Sequence, residues 1–222
     1  MSMVFHLVRH AQASFGAADY DNLSPLGHRQ SEALGAAMAR QGVVPDAVFI
    51  GAQKRHRQTW EGMANGMGCD LEPVILPGFN EFDFKGLLDA RFAEEPAPEG
   101  IHSDRRTHFR KLRETVLMWQ RDEITNPPER FADFAARVRD ARDIVAASGA
   151  KTPVAVSSGG AIGQSVASVM GAPADQMIAL QLQVKNCAVA RFVIASTGTW
   201  LHGFNETPHI NADNAAEMLT YS

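Results

Sequence analysis

Two short stretches of the chain share one pattern: "FHLVRHAQAS" at residues 5–14 and "VAVSSGGAIGQS" at residues 154–165. Each begins as an apolar run typical of a buried strand and ends in polar or small residues. The first run ends at Arg9 and His10, and the second ends at Ser158 before a segment with helical character. If both runs are parallel strands of one sheet, these polar groups lie at the edge where open α/β sheets bind ligands.

The order of predicted elements around these stretches indicates an α/β fold. Strands are predicted at 3–8, 46–50, 152–157 and 188–194, and helices at 24–42, 52–67, 104–122, 129–148 and 161–171. Such alternation favours a three-layer sandwich with a mostly parallel central sheet and helices on both faces. We expect one domain over residues 1–222, with a mostly helical insertion or lid at about 79–150 and an irregular tail at 203–222.

Composition excludes several classes of function. The chain has 222 residues with 21 basic and 25 acidic side chains, so its net charge of −4 argues against a nucleic-acid partner. No run approaches the ~20 apolar residues of a membrane span, and we see no signal peptide. The two cysteines, Cys69 and Cys187, exclude a disulfide scaffold and suit a reducing cytoplasm.

Arg9, His10 and Arg55 together indicate a phosphate site. Arg55 lies in "KRHRQT", which follows the second predicted strand, and helix N-termini that favour anions collect at the same sheet edge. Two arginines can hold one phosphate by paired hydrogen bonds. A histidine kept neutral by these cations could attack phosphorus. The alternative is a structural ion pair for Arg9 and an ordinary loop histidine at position 10.

These residues also carry a resemblance to the histidine phosphatase superfamily, which has the phosphoglycerate-mutase-like fold. "LVRHAQAS" is similar to the family's Arg-His-Gly signature, with Ala11 in place of the glycine. Other segments resemble further family motifs, in family order, between residue 4 and about residue 210: "LSPLGHRQSEALG", "RHRQT", "NEFDFKG", "VAVSSGG" and "FNETPHI". Six such matches in order make a chance resemblance improbable.

The resemblance implies a role for each motif residue. His10 would become a phosphohistidine, and Arg9 and Arg55 would clamp the phosphoryl oxygens. Glu81, in "NEFDFKG", would protonate the leaving alkoxide and later accept a proton from water. The alternative for Glu81 is a surface carboxylate beside Lys85. The implied ligand is a small phosphorylated substrate or inorganic phosphate, with no metal and no cofactor. The oligomeric state stays open.

Ser158 is the main departure from the family pattern, because the family places a second histidine there. Losing one preorganised donor typically costs about 10²–10³ in rate, or roughly 3–4 kcal/mol, so we expect a slower enzyme. Candidate substitutes are His28, His202 and the helix N-terminus after Gly160. Ser158 could itself be a nucleophile, but no Gly-x-Ser-x-Gly elbow surrounds it.

Four further residues, Ser14, Gly159, His56 and His209, are given roles outside the core of the phosphate site. Ser14 could add a hydroxyl to the phosphate pocket or cap a turn, and Gly159 would help bind the substrate. His56 follows Arg55 directly, so on a helix it should point away from it and be solvated or packed. His209, in "FNETPHI", is interpreted as structural.

Three functions remain. A phosphomonoester phosphatase acting through His10 is favoured. A phospho-ligand binding or regulatory protein with impaired catalysis is the alternative that Ser158 and Ala11 motivate. A phosphoglycerate mutase is third, because mutases usually carry an asparagine where this chain has Gly16.

Overall fold

One of the two central strands of the sheet is β1, Met3–Arg9, which is almost fully buried and mostly apolar. In the computed structural model, which describes residues 2–14, 21–94, 96 and 105–221, β1 lies between two other strands. On one side it pairs in parallel with β4, Pro153–Ser157, so that Arg9 lies opposite Ser157. The stretches at residues 5–14 and 154–165 therefore contain neighbouring parallel strands that end at the same edge.

Four more strands complete the sheet. They are β2 at Ala47–Ile50, β3 at Val74–Ile75, β5 at Val189–Ala195 and β6 at Gly198–Glu206. The strand order is β3-β2-β4-β1-β5-β6. The first four strands run parallel, β5 is antiparallel to β1, and β6 is antiparallel to β5. The predicted α/β fold with a mostly parallel sheet is thus confirmed.

The helices cover both faces of this sheet. They are α1 at Pro25–Arg40, α2 at Lys54–Met67, α3 at Phe84–Arg91, α4 at Arg105–Gln120, α5 at Phe131–Ala147, α6 at Gly159–Val169, α7 at Gln176–Gln181 and α8 at Ala215–Met218. A 3₁₀ turn, Pro77–Phe79, follows β3. The start of α1 is as predicted, since the Ser24 hydroxyl accepts a hydrogen bond from the Gly27 N–H at 3.0 Å and Pro25 occupies the first turn.

Three apolar clusters hold the layers together. One face of the sheet packs on α1 and α2 through Val8, Leu34, Met38, Trp60, Met63 and Val156. The other face packs on α5 and α6 through Phe5, Leu7, Val145, Ile162, Val166 and Phe192. A third cluster joins α3, α4, α5 and α7 around Leu87, Val116, Trp119, Phe134 and Met177. Residues 79–150 therefore contribute α5, which packs on the sheet and on α6, and α3 and α4, which pack in the third cluster with α7. No described helix is long and apolar enough to cross a membrane.

The prediction for the end of the chain is wrong. We expected 188–194 to be the last strand and 203–222 to be irregular, but β6 forms a hairpin with β5, and α8 follows. The side chains of β6 are all exposed or partly exposed, because it is the edge strand. It therefore lacks the buried, alternating pattern by which strands are recognised in a sequence.

Candidate active site

Three neighbouring parallel strands deliver the candidate residues to one edge of the sheet. His10 follows β1, Ser158 follows β4 and precedes α6, and α2 begins four residues after β2 ends at Ile50. The first turn of α2 carries Arg55 and His56. The sheet order alone therefore brings these side chains together, although they are far apart in sequence.

His10 is held as a neutral imidazole with a defined tautomer. The residue is 3 % exposed, and Nδ1 lies 2.7 Å from the carbonyl oxygen of Ala11. Because a carbonyl oxygen can only accept, Nδ1 carries the proton and the lone pair lies on Nε2. Burial, with smaller contributions from Arg55, Arg9 and His56, holds the pKa of His10 well below its usual value of 6.5. Such a ring is available as a nucleophile at neutral pH.

Arg9 is a buried cation beside His10. Its Nη1 donates to the backbone carbonyl of Val184, which fixes the guanidinium against the loop that follows α7. A Cβ placed on Gly159 would lie 3.7 Å from Nε of Arg9. Gly159, predicted to bind substrate, therefore lies against this guanidinium, and the start of α6 and Arg9 form one electropositive wall.

Arg55 forms the second cationic wall. Its Nη1 donates to Oδ1 of Asp21 at 2.6 Å, and its Nη2 donates to Oε1 of Gln53 at 2.9 Å. The same Nη2 lies 3.4 Å from Oγ of Ser158. Asp21 and Gln53, which orient Arg55, were not predicted from the sequence, because neither belongs to any of the quoted motifs.

Glu81 lies at the start of α6. Its Oε2 accepts from the backbone N–H of Gly160 at 3.0 Å, and its Oε1 accepts from the N–H of Phe82 at 3.3 Å. A Cβ on Gly160 would come within 2.2 Å of Oε1, so only glycine admits the carboxyl group at this position. Burial raises the pKa of Glu81, against the opposing effect of the Gly160 N–H and the guanidinium groups of Arg55 and Arg9. A raised pKa keeps a carboxyl group protonated at higher pH, as a proton donor requires.

The placement of His56 differs from its prediction. The ring is fully buried, its Nε2 lies 2.7 Å from Oγ of Ser158, and its centroid is 5.8 Å from the centroid of His10. The i+1 argument predicts that His56 points away from Arg55, but both side chains reach Oγ of Ser158, because the argument assumes that only one face of α2 meets the site. Because the N-terminal end of α2 abuts the sheet edge, first-turn residues on different faces reach the same place. The sequence signal that could have found it is Ser158, where the family resemblance implies a histidine.

The remaining candidate residues are Ser14, His28, His202 and His209. Ser14 is partly buried, and its N–H donates to the carbonyl of Asn22 at 2.8 Å, which pairs its loop with the segment before α1. His28 is exposed on α1 and His202 is exposed on β6, so neither of these candidate substitutes lies in the buried site. His209 is buried, and burial lowers its pKa to about 4. Gly16, used above against a mutase, lies outside the described residues.

Among the side chains that the structure describes, no group of three or more His, Cys, Asp or Glu is arranged to hold a metal ion. The positive charge at the site comes instead from Arg9 and Arg55, which are both buried.

Comparison with known proteins adds a family and a fold. A family model of the histidine phosphatase superfamily (branch 1) matches residues 5–207. No curated protein sequence matches the chain significantly.

Solved structures resemble the whole chain. An alpha-ribazole phosphatase from Shigella flexneri is 20 % identical, with a TM-score of 0.66, over 92 % of this chain and 97 % of that one. A phosphoserine phosphatase variant from Entamoeba histolytica, bound to phosphoserine, is 17 % identical, with a TM-score of 0.65, over 94 % and 100 %. A phosphoglycerate mutase from Bacillus anthracis is 15 % identical, with a TM-score of 0.65, over 94 % and 95 %. At these identities the likeness establishes the fold.

Proposed function

This chain belongs to the histidine phosphatase superfamily, and we propose that it is a phosphomonoester phosphatase that works through a phosphohistidine on His10. The observation that carries the proposal is the neutral His10 ring, whose proton is held on Nδ1 by the Ala11 carbonyl at 2.7 Å. A small phosphorylated substrate is the expected ligand, and phosphatases and a mutase are among the proteins of the same fold.

In the first step, Nε2 of His10 attacks phosphorus. The N–P bond forms as the P–O bond to the alcohol breaks, and the proton of Glu81 passes to the departing oxygen. Arg9 and Arg55 balance the two negative charges of the phosphoryl group, and this stabilisation strengthens as charge builds up on its oxygens. No metal is needed for this proposal, because the two guanidinium groups neutralise the charge.

In the second step, water hydrolyses the phosphohistidine. The ionised Glu81 takes a proton from water, the new P–O bond forms, and the N–P bond breaks to restore the His10 lone pair. The carboxyl group thus acts first as acid and then as base, a role that typically contributes about 10²–10⁴ in rate. The position of Glu81 against the Gly160 N–H, at 3.0 Å, supports this assignment.

The test is hydrolysis of 4-nitrophenyl phosphate by the wild type and by His10→Ala, with His28→Ala as a matched control on an exposed histidine. We expect His10→Ala to lose all measurable turnover and His28→Ala to keep it. Equal rates for wild type and His10→Ala would overturn the proposal. Tight phosphate binding by calorimetry without turnover of any phosphomonoester would favour a binding or regulatory protein instead. A coupled assay with 3-phosphoglycerate separates a phosphatase from a mutase.

A further inference from the structure

Two buried polar side chains meet beside His10 without a part in the two steps above. Both His56 and Ser158 are fully buried, and they approach to 2.7 Å between Nε2 and Oγ. They come from different elements, since His56 lies on the first turn of α2 and Ser158 ends the connection from β4 to α6. Burying two polar groups is unfavourable unless they are hydrogen-bonded, so the pairing specifies where each one lies.

The backbone around His56 is shaped to admit its ring. A Cβ on Gly51 would lie 2.3 Å from Nδ1 of His56, closer than any real contact. The chain therefore needs glycine at the end of β2 for an imidazole to occupy this position. A ring held between Gly51 and Ser158 has one orientation, as a group that takes part in chemistry requires.

The Ser158 hydroxyl lies beside the Arg55 guanidinium and the side chain of Gln53. Its Oγ lies 3.4 Å from Nη2 of Arg55 and 3.4 Å from Oε1 of Gln53, and the His56 ring centroid is 5.8 Å from that of His10. This is the part of the pocket that the phosphoryl group of a phosphohistidine would occupy, so the inference rests on the proposed function.

We propose that His56 and Ser158 together replace the second histidine of the family pattern, with His56 as a positioning residue that acts through the Ser158 hydroxyl. The family pattern places a histidine at position 158. In this chain the imidazole of His56 reaches the site from α2, and the small residue Ser158 follows β4.

The pair works by orienting one hydroxyl. Burial and the neighbouring Arg55 lower the pKa of His56 to about 3, so its ring is neutral and carries a single N–H. A backbone hydrogen bond with Gly51 acts against this lowering of the pKa. The proposed role requires the tautomer whose proton is on Nε2, because only that ring donates to Oγ of Ser158. The hydroxyl hydrogen then points to an acceptor in the pocket, which is Oε1 of Gln53 at 3.4 Å in this structure and a phosphoryl oxygen when one is present. Ser158 is the group that touches substrate, and His56 fixes its direction.

The experiment is a double-mutant cycle followed by an exchange of the two residues. His56→Ala and Ser158→Ala are each expected to lower kcat for 4-nitrophenyl phosphate by about 10²-fold or more, with KM changed much less. The two changes combined are expected to cost no more than either one, because residues that act as a unit are not additive.

The exchange separates this role from a structural one. In the double variant His56→Ser/Ser158→His, the imidazole returns to the position of the family pattern, and we expect kcat to recover to within about tenfold of wild type. Ser158→His alone should not restore kcat, because the new ring would collide with His56 in a fully buried space. His6→Ala, a change at another buried histidine on β1, serves as a control that lowers stability but not kcat.

The proposal would be overturned if the kcat losses of His56→Ala and Ser158→Ala multiply in the combined variant. It would also be overturned if the exchange variant melts like wild type but is as inactive as His56→Ala. Orthovanadate binding by calorimetry gives a second readout that needs no turnover. If His10→Ala is as active as wild type, the proposed function fails. Vanadate affinity that falls in His56→Ala and returns in the exchange variant would still support the pair as an oxyanion ligand, and affinity unchanged in His56→Ala would refute it.

Discussion

Glu81→Gln changes the acid of the proposed reaction while leaving its surroundings almost intact. The amide oxygen of glutamine can still accept from the Gly160 N–H, which donates to Oε2 at 3.0 Å. The second contact, from the Phe82 N–H at 3.3 Å, is lost when the amide nitrogen takes that place. One such hydrogen bond is worth about 1 kcal/mol, so the variant should fold and melt close to wild type.

The catalytic loss should depend on the leaving group. An alkyl phosphate releases a strongly basic alkoxide that needs a proton, so kcat/KM should fall by about 10²–10⁴. Aryl phosphates such as 4-nitrophenyl phosphate release a stable anion, and their kcat/KM, which reports the transfer to His10, should fall far less. Because burial raises the pKa of Glu81, the wild type should also lose kcat/KM for the alkyl substrate as pH rises through that pKa.

The assay compares kcat/KM for both substrates across pH, in wild type and Glu81→Gln. We expect the alkaline loss for the alkyl substrate to disappear in the variant, since glutamine does not titrate. Equal losses on the two substrates, or an unchanged alkaline limb in Glu81→Gln, would refute the assignment of Glu81 as the proton donor.

Three further predictions follow from other parts of the structure. Phe134→Ala should lower the free energy of unfolding by about 3–5 kcal/mol in urea melts, because Phe134 is fully buried in the third cluster; a cost below 1 kcal/mol would contradict that packing. Burial lowers the pKa values of His6 and His209 to about 4, so each contributes about 2 kcal/mol of unfolding free energy that is present above pH 6.5 and lost between pH 7 and 5; His6→Gln should remove the share of His6 and reduce the slope of unfolding free energy against pH, and an unchanged slope would contradict it. Arg55→Lys should weaken phosphate binding in calorimetry by about tenfold or more, because lysine cannot make the paired contacts; unchanged affinity would show that Arg55 does not hold phosphate.

The parts of the fold that could be predicted are those where a local pattern reports burial. The β1 and β4 runs are apolar on both faces because both faces of the sheet are covered, and the helix after Ser24 carries its own start signal. The β6 strand could not be found in this way, because its stability comes from pairing with β5 and not from a buried face of its own.

The candidate site divides along a similar line. Arg9, His10 and Arg55 were placed together because strand ends and helix starts meet at one sheet edge, whatever the details of packing. The approach of His56 to Ser158 could not be predicted, since the direction of its ring depends on how the end of α2 abuts the sheet, and that angle is set by packing between distant elements. Asp21 is another such case, because nothing in its local sequence shows that it orients a guanidinium across the site.

The most direct test of the central claim is to trap the covalent intermediate. Wild type mixed with ³²P-labelled phosphomonoester and quenched in alkali should retain label that is stable to alkali and lost in acid, as a phosphohistidine is. Mass spectrometry should map that label to His10, and His10→Ala should carry none. The account would be contradicted if catalytically active wild type carried the label at any residue other than His10, for example as an acid-stable, alkali-labile phosphoserine at Ser158.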